Sequence, residues 1–461
     1  MMTLPTPRFV PPLQPDFRPA ALANRAFRAA AREAGGPVVA ICLERTGGTI
    51  SRYETPIFPA GHERAAENRF YLERVTKFLL WQRGGWRLTI GGAPDVVPYL
   101  AAQYSADGPR AFDVDLMGRQ VYQRPFEVVG CAFADAPAEA ESSKSLGRHL
   151  DGCRIGFDLG ASDRKSAAVI DGEPVWADEV PWDPRNWSDP QQHFDGINHS
   201  LKLAAEHLPR VDAIGGSAAG IYVDNEPRVA SLFRGVSPAD FDKYIRDLFG
   251  RLAAEWSNVP FEVVNDGEVT ALAGSMSLGV NAILGVAMGS SEAGGYVAPD
   301  GTITDWLDEL AFAPVDYSAT APVDEWSGDA GVGALYFSQQ AVWRLSPVAG
   351  IEIGDGFGQP EQLLRVQDLM AQGDPRARQI YESIGVYLGY TVAHYADFYQ
   401  LENLLILGRV TSGEGGVIMM DTANSVIAGE FPELKGISIG LPDEKARRVG
   451  QSIAAASLPV I

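Results

Sequence analysis

Arg154-Ile-Gly-Phe-Asp-Leu-Gly-Ala-Ser-Asp-Arg-Lys-Ser-Ala-Ala-Val-Ile-Asp-Gly172 is the stretch on which the reading of the whole chain turns. An apolar strand is predicted over 155–159, carrying one acid, Asp158. A turn of small residues follows, Gly160, Ala161 and Ser162. A second strand over 167–170 then closes at Asp171-Gly172, a dipeptide that favours hairpin turns. Small residues let backbone N–H groups come close to a phosphate. A carboxylate beside such a turn suits a magnesium ion, held directly or through water. Taken alone, the stretch is equally an ordinary hairpin with an exposed acid.

Three later stretches change that balance. Phe261-Glu-Val-Val-Asn-Asp-Gly-Glu268 reads as a buried strand ending at Asn265 and Asp266 before a helix of small residues. Gly285-Val-Ala-Met-Gly-Ser-Ser-Glu-Ala-Gly-Gly295 is a second glycine-rich hairpin, and Leu404-Leu-Ile-Leu-Gly408 a strand that delivers a glycine at its end. Two glycine-rich hairpins, one in each half, suit a nucleotide triphosphate gripped between two lobes. A carboxylate at the carboxyl end of a buried strand suits a general base.

The wider chain sets bounds. With 461 residues it exceeds one simple core, so two or three packed units are expected. Its net charge of −21 argues against nucleic acid as the main partner. The charge divides into +3 over 1–150 and −24 over the remainder, which supports a boundary near 150. Three cysteines without C-x-x-C spacing read as reduced thiols in a cytoplasmic protein. Neither a signal peptide nor a membrane-spanning run is visible, and the six histidines show no metal-binding spacing.

In chain order, 1–17 holds five prolines and reads as an extended arm, and 18–33 as a helix. A hairpin over 38–53, a helix over 67–82 and a strand over 86–90 follow, then a helix over 95–104 and a strand pair around 112–129. Hairpin, helix, strand and Gly-Gly recur in that order after 150. Residues 1–150 therefore read either as a degenerate repeat of the next half or as an unrelated α/β extension. Residues 135–149 look like a linker, 181–192 an exposed loop near a cleft mouth, and 237–255 an amphipathic helix with Ser237 as its cap. Alternating strands and helices run to a closing helix over 445–456, an α/β pattern with mixed sheets.

The order of the four stretches resembles the ROK family of sugar kinases and sugar-responsive repressors, within the actin, hexokinase and heat-shock ATPase-like superfamily. The resemblance spans about 155–456. It implies a two-lobed actin-like ATPase (ribonuclease-H-like) fold with an additional N-terminal α/β domain. The lobes would be 151–258 plus 441–461 and 259–440, after the extension 1–150. It assigns ATP and phosphate contacts to Asp158, Gly160, Ala161 and Ser162, and to Gly289, Ser290, Ser291, Gly294, Gly295 and Gly408. Asn265, Asp266 and Glu309 fall on the sugar, with Asp266 as catalytic base and Asp158 as a magnesium ligand. ATP and Mg2+ are the implied cofactors.

The departures are specific. Phe312 stands where the family has a histidine, and 324–336 keeps the glycines of the family's zinc loop without its cysteines, so no zinc site is expected. Glu268 replaces an asparagine. Ser291 and Glu292 alter the second phosphate motif, and a carboxylate there is expected to repel a triphosphate. The reading is a cytoplasmic ATP-dependent sugar kinase acting on a hexose or related sugar, with small-molecule partners, no nucleic acid or membrane, and homo-oligomerisation open. The alternative is a catalytically degenerate sugar- or metabolite-binding sensor.

Overall fold

The computed structural model describes residues 2–142, 146–352, 356, 358–441 and 447–461; side chains are described for the last segment from Gly450 onward. In chain order the elements used below are helix α1 (Ala20–Glu33), strands β1 (Val38–Glu44) and β2 (Ile50–Pro56), helix α2 (Glu67–Arg83), and strands β3 (Arg87–Gly91) and β4 (Glu127–Cys131). Next come β5 (Cys153–Leu159), β6 (Asp163–Ile170), β7 (Glu173–Pro181), α3 (Pro190–Ala205), β8 (Ala213–Ala218), β9 (Ile221–Val223), β10 (Glu226–Val229), β11 (Phe261–Asn265) and α4 (Asp266–Leu278). The chain ends with β12 (Ile283–Met288), β13 (Glu292–Val297), α5 (Gln339–Val348), α6 (Pro375–Ala396), β14 (Asn403–Leu407), β15 (Ser438–Gly440) and α7 (Arg447–Ala456). No helix among the described residues is long and apolar enough to cross a membrane.

Two compact units form. One contains Met1–Ser142, Val286–Gly294 and Asp305–Leu441; the other contains Ser143–Gly285, Gly295–Thr304 and Pro442–Ile461. Residues 1–142 are thus no unit of their own, and 259–285 belong with the residues that precede them. The expected linker over 135–149 and closing helix over 445–456 fall partly on 143–145 and 445–446, outside the described residues.

In the second unit the sheet order is β11-β8-β5-β6-β7. β5, β6 and β7 form an antiparallel meander, while β8 and β11 join in parallel on the other side of β5. α3 supplies the crossover that a parallel β5–β8 pair needs. One face carries an apolar core built around Phe157, Leu201, Ile214, Phe249 and Leu252. The other face receives α7 where the paired glycines Gly156 and Gly215 lack a Cβ, which would lie 1.7 Å from the carbonyl oxygens of Ser452 and Ala455. The expected loop over 181–192 is anchored, because Trp182 and Pro184 are buried and Asp189 caps α3.

The first unit departs from the sequence reading in three places. Its N-terminal sheet has the order β2-β1-β3-β4, and β3 runs antiparallel to β1. A repeat of the second unit requires that strand to be parallel, as β8 is to β5, so 1–150 is not a degenerate copy. The strand pair expected around 112–129 is one strand, β4. Residues 111–122 are helical instead, burying Asp113, Leu116, Met117 and Val121. The proline-rich arm is packed: Phe17 sits edge-on or tilted against Tyr336, Tyr387 and Tyr390, and the Gln14 amide donates to Asp316 at 2.8 Å. A further sheet has the order β13-β12-β14-β15, with β14 and β15 parallel.

Candidate functional site

Asp158 lies in β5, between two strands whose register fixes its partners. Ser217 on β8 and Lys165 on β6 stand directly opposite it. The Ser217 hydroxyl donates to Oδ1 at 2.7 Å, and the Lys165 ammonium lies 3.5 Å from Oδ2. The same ammonium pairs with Asp163 at 3.1 Å. Burial raises the Asp158 carboxyl above its ordinary value, while Ser217 and Lys165 oppose the rise. Lys165 therefore belongs to the first hairpin's polar core.

This arrangement bears on magnesium. Hard carboxylate oxygens suit the ion chemically, but both oxygens of Asp158 are engaged, one by a hydroxyl and one by an ammonium. A positive charge already stands where a directly bound cation would sit. The hairpin as built does not fit a magnesium ion coordinated by Asp158. Within the turn, the Gly160 N–H donates to the Asp163 carbonyl, and its own carbonyl accepts from the Trp182 indole at 2.8 Å. Ala161 is half-buried and Ser162 exposed.

β11 delivers Asn265 and Asp266 to the start of α4. The helix needs a cap, and Asn265 supplies it: its Oδ1 accepts from the Gly267 N–H at 2.6 Å, and its Nδ2 donates to the Gly220 carbonyl at 2.7 Å. Capping therefore falls to Asn265, and Asp266 keeps its carboxylate for other work. Burial first, and the like charge of Asp158 second, push the Asp266 carboxyl up to about 6, against weaker help from the first N–H groups of the helix. The nearby Tyr222 hydroxyl is raised by burial and by the charge of Asp266. The charge of Asp158 thus favours a proton on Asp266.

In the first unit, Gly289, Ser290 and Ser291 form the turn between β12 and β13, with both serines exposed. The Gly289 carbonyl accepts from the Gln339 N–H, which ties this turn to the start of α5. Gly408 has φ +103° and approaches β12 so closely that a Cβ would lie 2.3 Å from the Met288 carbonyl. Gly294 and Gly295 stand inside β13, where a Cβ would strike the carbonyls of Asp308 and Gly267 respectively; both have a packing reason to be glycine.

Glu292 corrects the sequence reading. It is 3% exposed, and its Oε1 accepts from the Tyr395 hydroxyl at 2.8 Å, while Oε2 has no partner. Burial pushes its carboxyl up to about 8. It is neutral over most of the physiological range and points into the fold, so the expected charge repulsion of a triphosphate does not arise. Three residues past the end of α6, the Tyr399 hydroxyl donates to Asp308 at 2.6 Å, and burial pushes that carboxyl up to about 7. Asp308, φ +49°, is the buried acid of the 307–311 segment; Glu309 is half-buried, with its N–H on the Trp81 carbonyl. Phe312 packs between Trp81 and Phe112.

Sequence reasoning missed Ser217, Lys165, Tyr222, Tyr395 and Asp308 as site partners. Strand register would have exposed the first two, but register is a property of the sheet.

In sequence, the chain matches no family model and no curated protein. In structure it is similar to a ROK hexokinase from Thermus thermophilus at 16% identity, with a TM-score of 0.52 over 66% of this chain and 98% of that one. It is also similar to a ROK family transcriptional regulator, a homologue of the E. coli MLC protein. There the identity is 16% and the TM-score 0.51, over 67% of this chain and 79% of that one. Across two thirds of its length, this chain has the actin-like ATPase fold of the ROK proteins.

Proposed function

We propose that the protein is a ROK-type sugar kinase that transfers the γ-phosphoryl group of ATP to a hydroxyl of a hexose or related sugar. The observation that carries this reading is Asp266: a carboxylate at a strand end, spared from capping by Asn265 and raised to about 6. A general base works best when its pKa lies near the working pH. Asp266 takes the proton of the acceptor hydroxyl as the oxygen–phosphorus bond forms and the bond to the leaving ADP breaks. The turn after β5 offers the backbone N–H groups of Ala161 and Ser162 to phosphate oxygens, where positioning supplies most of the acceleration. No step is assigned to magnesium at Asp158.

The test is ATP-dependent phosphorylation of a sugar panel, with and without magnesium. Asp266→Asn is expected to lower the rate by about 10²–10⁴-fold, the usual worth of a general base. Undiminished turnover in that variant, or no nucleotide binding at millimolar ATP, would overturn the reading.

One observation favours the alternative, a sugar- or metabolite-binding sensor without turnover. The Lys165 ammonium lies against Asp158 and Asp163, at 3.5 and 3.1 Å, and competes with a cation for both. Sugar binding by calorimetry with no phosphoryl transfer under any metal condition selects this second reading.

A further inference from the structure

The β9–β10 hairpin holds a pair of arginines that the proposed chemistry does not use. It turns at Asp224 and Asn225, both in the left-handed region, and Asn225 fastens it to β11. The Asn225 Oδ1 accepts from the Val263 N–H at 2.7 Å, and its Nδ2 donates to the Phe261 carbonyl at 2.8 Å. β11 is the strand that delivers Asn265 and Asp266, so the hairpin is fixed to the same support. Tyr222 on β9, whose hydroxyl feels the charge of Asp266, stands opposite Pro227.

Arg228 is the next residue, and the register slips there: Pro227 pairs with Tyr222 and Val229 with Ile221, leaving Arg228 as the extra residue of a β-bulge. Bulges re-aim side chains and gather beside functional sites. The Arg228 side chain is 8% exposed, and its Nε and Nη1 donate no hydrogen bond. Its neighbour is a second cation, Arg246, at the joint between 241–245 and the helix Leu248–Glu255; the Arg246 Nη1 is likewise buried without a partner.

The carboxylates nearby lie at the rim. Glu226, 44% exposed, lies 3.0 Å from the Arg228 Nη1, but not in hydrogen-bonding geometry. Asp242, 65% exposed, accepts from the Arg246 Nε at 2.7 Å, and Asp224 is exposed at the hairpin tip. Burial first, with the charge of Arg246 added, holds the Arg228 guanidinium below its ordinary range, against Glu226 and Asp224. Two guanidinium groups that feel each other's charge keep three buried nitrogens without a hydrogen bond, one of them beside Glu226, and such groups are costly to leave unsatisfied. An anion placed against them would satisfy all three, and the planar forks of arginine suit carboxylate or phosphate oxygens.

We propose that Arg228 and Arg246 form an anion-recognising end of the acceptor site, so that the preferred sugar carries an acidic group, a carboxylate or a phosphate. The inference rests on the reading that Asn265 and Asp266 face the acceptor. Calorimetry without nucleotide, on the full chain, tests it with glucuronate, glucose 6-phosphate and glucose. One of the two acidic sugars is expected to bind at least about tenfold more tightly than glucose, and which one it is separates carboxylate from phosphate. Arg246→Gln, on the more exposed of the two arginines, and Arg228→Gln are expected to weaken that sugar by roughly 10–100-fold and leave glucose unchanged, the scale of charged hydrogen bonds. Failure of both acids to bind, glucose binding as tightly as either acid, or equal losses for acid and glucose in the Arg246→Gln chain would overturn the proposal. A phosphorylation assay on the same samples keeps the two readings apart. Tight, arginine-dependent binding without transfer from ATP sinks the kinase and keeps the arginines. Transfer from ATP with acidic-sugar binding that ignores both substitutions does the reverse.

Discussion

Replacing Glu292 by glutamine separates a buried neutral carboxyl from a charged phosphate-site residue. In the folded chain this carboxyl is raised from 4.5 to about 8 by burial, offset in part by the Tyr395 hydroxyl. A group with a raised folded pKa contributes most below its unfolded value, and its contribution is lost as the pH rises through the folded one. The window is therefore pH 4.5 to about 8. At about 1.36 kcal/mol per pH unit, holding the proton at pH 7 costs the native state about 3 kcal/mol, and the cost levels at about 5 kcal/mol above pH 8.

Glutamine escapes that cost. Its carbonyl oxygen still accepts from Tyr395, but its amide takes the place of the unpartnered Oε2, a loss of about 1 kcal/mol for an unpaired buried group. The net expectation for Glu292→Gln is close to zero at pH 5, about 2 kcal/mol of stabilisation at pH 7 and about 4 kcal/mol at pH 9. Thermal melts of both chains from pH 5 to 9 read this directly, because the other titrating groups, Asp308 and Asp266 among them, cancel in the difference. At pH 7 the melting temperature should rise by roughly 5 °C. A difference that stays flat across the range would show that Glu292 is ionised in the fold, and the reasoning about the second phosphate turn would fail with it.

Two other substitutions probe neighbouring claims. Asp158→Asn removes the like charge that helps raise Asp266, so the acid limb of the pH–rate profile should move to lower pH than the wild-type limb near 6; an unmoved limb would uncouple the pair. Gly333→Ala would place a Cβ 2.0 Å from the Glu292 Oε2 and 2.6 Å from the Leu310 carbonyl, and should cost about 1–3 kcal/mol by overpacking in a denaturant titration. A neutral result there would contradict the packing around Glu292.

What the sequence disclosed was local. The two glycine-rich hairpins, Asn265-Asp266 at a strand end and the strand before Gly408 are each written in a few adjacent residues, and each is found where that pattern puts it. The partners of these residues are not local. Ser217 and Lys165 reach Asp158 only because three strands share one register. Tyr395 reaches Glu292 across 103 positions, so an acid three residues after Gly289 reads as a phosphate neighbour until the strand turns it inward. The same limit explains the N-terminal misreading. Hairpin, helix and strand occur in the expected order, but an order of elements does not say whether the third strand runs parallel or antiparallel to the first.

The first 142 residues are better understood through one buried cluster than through their resemblance to anything else. Arg74 pairs with Glu73 and Asp329, Lys77 with Asp113 and Asp329, and Arg110 with Glu73 and Asp329, at 2.6–3.3 Å. Three cations thus face three carboxylates, nearly all shielded from water. Asp329, in the segment that lacks the zinc-loop cysteines, takes its cations, among the described residues, from Arg74, Lys77 and Arg110; Arg74 and Lys77 hold its carboxyl below the ordinary range against the effect of burial. A buried network of this kind adds little net stability when whole, yet losing one member leaves an uncompensated charge and costs about 3–5 kcal/mol. Asp329→Asn should therefore destabilise the fold by that amount in a denaturant titration. Removing residues 1–142 altogether strands Asp329 without any of its cations and uncovers the aromatic surface of Tyr336, Tyr387 and Tyr390 that Phe17 covers. The shortened chain should lose the cooperative melt of the unit that contains 305–441. If it instead melts within a few degrees of the full chain, the N-terminal residues are an appendage and the cluster is only a local convenience.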